Sequence, residues 1–405
     1  MEKIPDNLYL HADGDSFFVA CELSTMPEYK GKPVVVGEDA GIAVAMSYEA
    51  KKLGVTRGMP TFQIKREFPG VILLPHHFDL YNKISNEVYK ILISYLSVVE
   101  VYSIDECFAK VTKADIKYAG GPDKLVNTIK DEIQNKLGVT YSFGLAYTKA
   151  LAKTASKLNK PNGTALLLKK EDEINALKNT PIDDVWGIGR QTIPRLQNMG
   201  MKTAYDFAYT LDEDIKKYFS ESLWDLKREL SGEIVNDVHM DTDPRDQKSI
   251  QSTSTHRPAS SDPSIIFAEL STNTERACEN ARELELVTKS VSFFVKNKEF
   301  VHRFGDSTLP LYTNDPSLIL NAIEPIFMQT IKKGEEIRST GITLKNLRRA
   351  EDVQKDLFGV QESADDKNII NIVGDKIRQK FGNNILKRAS SLRGHNRNRS
   401  NTFPK

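Results

Sequence analysis

Hydrophobic and polar positions along the chain alternate in short periods that change character several times. Asn7-Leu-Tyr-Leu-His-Ala12 has a strand-like apolar pattern that runs straight into Asp13-Gly-Asp15, and Ser16-Phe-Phe-Val-Ala-Cys-Glu22 then reads as helical. Lys32-Pro-Val-Val-Val-Gly37 and Ile42-Ala-Val-Ala45 predict two short strands, followed by helices from about Tyr48 to Leu53 and Pro60 to Glu67. Tyr81, Ile84, Val88, Ile91, Leu92 and Tyr95 recur at the three-to-four spacing of an amphipathic helix packed on a core. Strands are predicted at Val98 to Tyr102, Glu106 to Val111 and Thr140 to Ala146, interleaved with helices at about Pro122 to Leu137 and Lys149 to Lys157. Helices that cover a sheet are the simplest assembly of these pieces.

From about residue 168 the pattern turns helical and stays so to about Val238. Val238 to Ser261 is rich in Asp, Ser, Thr and Pro without clear periodicity, as expected of a tether. Another α+β unit follows, with strands at Thr288 to Val295 and Ser339 to Leu344 and a helix at Pro316 to Ile331. After about Asp352 the chain is polar apart from a helix predicted at Asn368 to Phe381. No repeat of fixed period is visible.

A chain of 405 residues predicts two to four compact units at roughly 100 to 200 residues each. With 40% hydrophobic and 27% charged residues it has material for ordinary cores, which excludes a chain disordered throughout. Apolar runs such as Ile42-Ala-Val-Ala-Met46 fall far below the roughly 18 residues of a membrane span. No secretory signal is visible at the start, so the cytoplasm is the expected compartment. Cys21, Cys107 and Cys278 have no Cys-x-x-Cys spacing, which argues against disulfides or structural zinc. The net charge of +1 gives no global sign of a polyanionic partner. Distribution says more. Lys387, Arg388, Arg393, Arg397, Arg399 and Lys405 form an acid-free tail that is either a phosphate-contacting arm or a solvated terminus.

Asp13, Asp15, Asp105 and Glu106 lie at predicted strand ends, where carboxylates can converge. Gathered without a cation they would repel, so such a cluster is either solvated or holds a divalent metal. Two magnesium ions roughly 3.5 to 4 Å apart clamp the attacking and leaving oxygens of a phosphoryl transfer. An isolated Asp-x-Asp more often caps a turn or helix. Around it, Tyr48-Glu-Ala-Lys51 opens a helix suited to phosphates, and Lys149, Lys153 and Lys157 share one helix face ahead of Lys160-Pro-Asn-Gly163. A lysine row in isolation is usually a solvated face. Gly187-Ile-Gly189-Arg190, with flanking helical segments, forms a helix-hairpin-helix candidate whose turn amides can bind a DNA phosphate. His76-His77 reads as a loop feature, and His11 as packed or hydrogen-bonded.

Asp13-Gly-Asp-Ser-Phe-Phe18, Tyr48-Glu-Ala-Lys51, Ser103-Ile-Asp-Glu106 and the run from Ser142 to Gly163 resemble, in order and spacing, the successive signatures of Y-family translesion DNA polymerases. The likeness extends to about residue 359. Ala45-Met-Ser-Tyr-Glu-Ala-Lys51 and Arg388-Ala-Ser-Ser-Leu392 look closer to the UmuC branch than to the DinB branch. The resemblance implies an α+β right-hand fold: a ferredoxin-like palm at 1–16 and 79–167, small fingers at 17–78, a helical thumb at 168–240, a linker at 241–248 and an α+β little finger at 249–352. A clamp-binding motif and basic tail at 353–405 complete it.

By position, the resemblance makes Asp13, Asp105 and Glu106 metal-binding carboxylates, with the Gly14 backbone oxygen completing one site and Asp15 a second choice. Phe18 aligns with the steric gate that occupies the space of a ribose 2′-hydroxyl. Tyr48, Lys51 and Lys160, with the amides of Ser16 and Phe17, match triphosphate contacts, and Gly187, Gly189 and Arg190 match DNA contacts. Lys51 stands where many relatives have Arg, and Ala45 where some offer a Thr hydroxyl. Gln354, Leu357 and Phe358 look like a sliding-clamp peptide. The implied activity is low-fidelity DNA synthesis in the damage response, on primer-template DNA and deoxynucleoside triphosphates with two Mg2+, and UmuD-like or recombinase accessory proteins are further implied partners. A two-metal nucleotide cyclase and a non-enzymatic repair adaptor remain as rivals.

Overall fold

The computed structural model describes residues 7–39, 41–240, 244–353, 362–382 and 385–392. It divides into two compact units, with the break between Asp241 and Thr242.

The first unit is built on a five-stranded sheet. Its strands are β1 (Asn7–Gly14), β5 (Val98–Val101), β6 (Glu106–Thr112), β7 (Tyr141–Ala146) and β8 (Thr164–Leu166), in the order β5-β6-β1-β7-β8. A smaller sheet joins β2 (Val34–Val36), β3 (Ala45–Met46) and β4 (Ile72–Leu74). The helices are α1 (Phe17–Thr25), α2 (Tyr48–Lys52), α3 (Thr61–Glu67), α4 (Phe78–Tyr95), α5 (Lys113–Ala119), α6 (Pro122–Leu137), α7 (Lys149–Leu158), α8 (Lys170–Asn179), α9 (Ile193–Asn198), α10 (Ala204–Ala208), α11 (Asp212–Tyr218) and α12 (Glu221–Ser231).

Strand period two divides β1 between two cores. Leu8, Leu10 and Ala12 join the core that α4 and α6 close, while Tyr9 joins Phe108 of β6 in the core shared with α7 and the later helices. Both faces of the large sheet are therefore covered, and β1 reads as a nearly continuous buried run. Helix α7 lies so close to β7 that a Cβ on Gly144 would fall 2.0 Å from the Ala152 carbonyl oxygen. Thr148 caps α7 by accepting from the Leu151 amide.

In the second unit a four-stranded antiparallel sheet orders β11 (His302–Thr313), β10 (Leu286–Asn297), β12 (Ile337–Lys345) and β9 (Ser249–Ser260), and β13 (Arg348–Arg349) pairs with β10. Helices α13 (Pro263–Glu283) and α14 (Pro316–Thr330) cover one face over Val291, Phe293 and Val295. Helix α15 (Glu362–Phe381) follows.

Three expectations change. The supposed tether includes a twelve-residue strand, β9, whose Ser- and Thr-rich sequence hides its pairing with β12. Of the expected strand at Ile42 to Ala45, only Ala45 belongs to a strand, the two-residue β3. Of the basic tail, Arg388 is engaged within its own unit, while Arg393, Arg397, Arg399 and Lys405 lie outside the described residues. Arg388 donates to Asn371 and to Ser317 Oγ at 2.5 Å, and Ser391 Oγ lies 3.1 Å from Ser271 Oγ. Gln354, Leu357 and Phe358 lie outside the described residues. Among those described, no helix is long and apolar enough to cross a membrane.

Candidate active site

The acidic residues meet where β1 and β6 end. Asp13 and Glu106 are direct partners in the antiparallel register, and the Gly14 amide donates to the Asp105 carbonyl at 2.9 Å. Period two places Tyr9, His11 and Asp13 on the face of the sheet that also carries Glu106, Phe108 and Lys110. Helix α7 lies over that face. Candidate ligand atoms of His11, Asp13 and Glu106 fall within 4.8 Å of one another. Asp105 is adjacent, its carboxylate accepting from Ser103 Oγ at 2.6 Å.

Two ammonium groups neutralise this cluster. Lys160 Nζ forms an ion pair with Asp13, and Lys153 Nζ donates to Glu106 Oε1 at 2.7 Å. The lysine row on α7 is thus solvated only at its end: Lys149 and Lys153 are buried, Lys157 is exposed, and Lys149 holds Glu100 at 2.8 Å. Aromatic rings at Tyr102, Phe108 and Trp186 surround the Lys153 ammonium and replace part of its hydration. Burial pushes the Glu106 carboxyl above its ordinary value, and the hydrogen bond from Lys153 opposes it. Burial, helped by nearby lysines, holds His11 well below the usual imidazole range.

Asp15 makes its contacts away from Glu106. Its carboxylate accepts from Ser142 Oγ at 2.8 Å and from the Asn162 amide at 2.7 Å, which ties down the loop carrying Lys160. Tyr48 Oη reaches the same carboxylate at 3.5 Å. Burial raises the Asp15 carboxyl against these hydrogen bonds.

Ser16, between Asp15 and α1, is left-handed with φ 46° and gives α1 no side-chain cap. The first amides of α1, beginning at Phe17, therefore receive no cap from the Ser16 side chain. Lys51 is exposed in the last turn of α2, on the element that begins at Tyr48. Phe18 is half-buried and stacks on Tyr81.

The hairpin differs in form from its expectation. A 3-10 turn at Ile182–Asp184, not an α-helix, leads into Gly187, whose φ of 85° requires glycine, and α9 beyond Gly189 and Arg190 has six residues. Pro194 sits in the first turn of α9, where its missing donor costs nothing.

Sequence reasoning missed the contacts of Lys153 and Asp15. The signal available was the register itself, since pairing Asp13 with Glu106 brings α7 over both.

Asp13, Asp105 and Glu106 offer hard carboxylate oxygens, and Lys153 and Lys160 stand against two of them as monovalent counter-cations. Oxygen donors of this kind suit Mg2+.

The impB/mucB/samB family model matches residues 12–157 and that family's C-terminal domain matches 247–357. A DNA polymerase IV of Streptococcus pyogenes is 32% identical over 357 residues, covering 86% of this chain and 96% of its own. One from Clostridium perfringens is 30% identical, covering 84% and 94%. Among solved structures, a Dbh–Dpo4 Y-family polymerase chimera aligns with TM-score 0.71 at 23% identity, and an insertion ternary complex of Dbh DNA polymerase with 0.56 at 23%; each covers 84% of this chain and 98% of its own. These likenesses show the fold, and the sequence relationship shows that this chain belongs to the impB/mucB/samB family of Y-family DNA polymerases.

Proposed function

We propose that the protein is a template-directed, low-fidelity DNA polymerase that extends a primer past damaged template bases. The observation that carries this reading is the placement of Asp13 opposite Glu106, beside Asp105, with two lysines on the cluster. The reaction joins the primer O3′ to the α-phosphorus of a deoxynucleoside triphosphate, and the bond from that phosphorus to pyrophosphate breaks. Asp13, Asp105, Glu106 and the Gly14 carbonyl would hold two Mg2+ ions, which supply charge stabilisation at the attacking and leaving oxygens.

The chain's own groups do the rest. Lys160, which pairs with Asp13, and Lys51 would receive the triphosphate, with Tyr48 and the amides of Ser16 and Phe17. Lys51 attracts as a point charge, without the bidentate fork of arginine. Asp15 holds the Lys160 loop in place. Phe18 occupies the space of a ribose 2′-hydroxyl. Gly187, Gly189 and Arg190 hold the DNA backbone through turn amides and charge, independent of sequence.

The division into palm, fingers, thumb and little finger belongs to the same reading. So do the cytoplasmic compartment, a sliding clamp bound through Gln354, Leu357 and Phe358, and UmuD-like or recombinase accessory partners. The UmuC-like placement rests on Ala45–Lys51 and Arg388–Leu392 alone, and the polymerase reading does not depend on it.

Asp105→Ala and Glu106→Ala should each abolish Mg2+-dependent extension of a primer over undamaged and abasic templates while binding primer-template DNA. Retained extension in either variant would overturn the assignment.

A further inference from the structure

Phe18 is clasped by other rings. Tyr81 stacks on it with centroids 4.4 Å apart and planes 13° from parallel, and Phe78 meets Phe18 and Tyr81 edge-on at 5.8 and 5.6 Å. Tyr81 is fully buried, and its hydroxyl donates to Glu22 Oε1. Glu22 is 1% exposed, and His77 Nδ1 stands 3.0 Å from each of its oxygens. Phe18 and Glu22 lie four residues apart on α1, one turn along the same side. The contacts close a loop from Phe18 to Tyr81, from Tyr81 to Glu22, and back to Phe18 through one turn of helix.

A leucine or methionine at position 22 would fill this part of the core without desolvating a charge. A buried carboxylate is costly unless hydrogen bonds replace its water. Here the bonds it makes fix the far end of the residue that backs Phe18. An apolar pocket that yields is a poor judge of one added hydroxyl, so rejection of a 2′-hydroxyl needs a wall that stays put. Tilting Phe18 would push Tyr81, and Tyr81 cannot move without breaking its bond to Glu22.

We propose that Glu22 is a positioning residue for sugar discrimination, holding Tyr81 so that Tyr81 holds the Phe18 ring. This inference rests on the reading of Phe18 as the steric gate.

The test measures single-nucleotide incorporation by the full chain on primer-template DNA, with matched ribonucleotides and deoxynucleotides, in Phe18→Ala, Tyr81→Phe, Glu22→Leu and Glu22→Gln. Tyr81→Phe keeps the ring and loses the bond. With Glu22→Leu, it is expected to raise the ribo-to-deoxy ratio of kcat/KM about tenfold, equal to about 1.4 kcal/mol. Glu22→Gln keeps a carbonyl that accepts from Tyr81 and should leave the ratio near that of the parent. If Phe18→Ala leaves the ratio unchanged, the gate reading fails and this inference with it. If Phe18→Ala raises it but Tyr81→Phe does not, the inference alone fails. It also fails if Glu22→Gln behaves as Glu22→Leu, because the acceptor would then be irrelevant. Should Glu22→Leu not fold, as judged by thermal melting, Tyr81→Phe decides.

Discussion

Lys153 Nζ stands 2.7 Å from Glu106 Oε1 and 3.5 Å from His11 Nε2. Ser156 Oγ donates to the Lys153 carbonyl, so it accepts from His11 Nδ1 at 2.8 Å, which leaves Nε2 as an acceptor facing the ammonium. One lysine is thereby aimed at one carboxylate by a histidine of fixed tautomer. A flexible side chain has become a rigid part of the site.

Lys153→Met should remove the charge while keeping most of the volume. Glu106 would be left partly buried without its partner, at a cost of about 2 kcal/mol, below the range for fully buried pairs. Extension should fall about 10²-fold as the carboxylate loses its orientation. Urea denaturation and single-turnover extension measure the two effects, and a variant unchanged in both would show the pair to be incidental.

Asp13 and Asp15 should separate in kinetics although they are two residues apart. Asp13→Ala removes a proposed metal ligand and should eliminate turnover. Asp15→Ala frees the loop of Lys160 and should raise the nucleotide KM about tenfold with a smaller fall in kcat. Equal loss of kcat in both would return Asp15 to the ligand set.

Folding stability should decline as pH falls below about 6.5, the ordinary imidazole value. Burial keeps the folded His11 neutral, so below that value the unfolded chain takes up a proton that the folded chain refuses. The slope from this one group approaches about 1.4 kcal/mol per pH unit and continues until the lower folded value is reached. Chemical denaturation at pH 7.5, 6.5 and 5.5 should show the decline in the parent and a shallower one in His11→Gln.

Gly144→Ala should be among the costly small substitutions. The added carbon would fall 2.0 Å from the Ala152 oxygen and 2.4 Å from the Ser156 nitrogen, both backbone atoms of α7. Backbone cannot turn aside as a side chain can, so a loss of about 3 kcal/mol or more is expected. Thermal melting by circular dichroism would show it, and a melting point like that of the parent would mean that α7 shifts freely.

Much was legible in the linear pattern. The period-two stretch through Asn7 to Ala12 and the three-to-four spacing of α4 are local features, and local sterics and apolar spacing decide them. So is the clustering of carboxylates at strand ends, and the ordered motifs pointed to the family that the relatives bear out. Strand β9 and helix α13 were not legible: β9 buries Ser254 and α13 buries Asn273, where hydrogen bonds to each other and to β12 rather than apolar side chains satisfy them.

The chemistry available was thus written in residue types and their order. Its assignment was not. Lys149, Lys153 and Lys157 share one helical period, yet Lys149 and Lys153 are drawn under the sheet by Glu100 and Glu106 while Lys157 donates to a loop carbonyl. Asp13 ends β1 on the face that carries Glu106, whereas Asp15 lies past the end of the strand at Gly14, where Ser142 and the Asn162 amide hold its carboxylate. The duty of an ionisable group depends on what lies within a few ångströms of it, and for these residues every deciding neighbour arrives from a distant part of the chain.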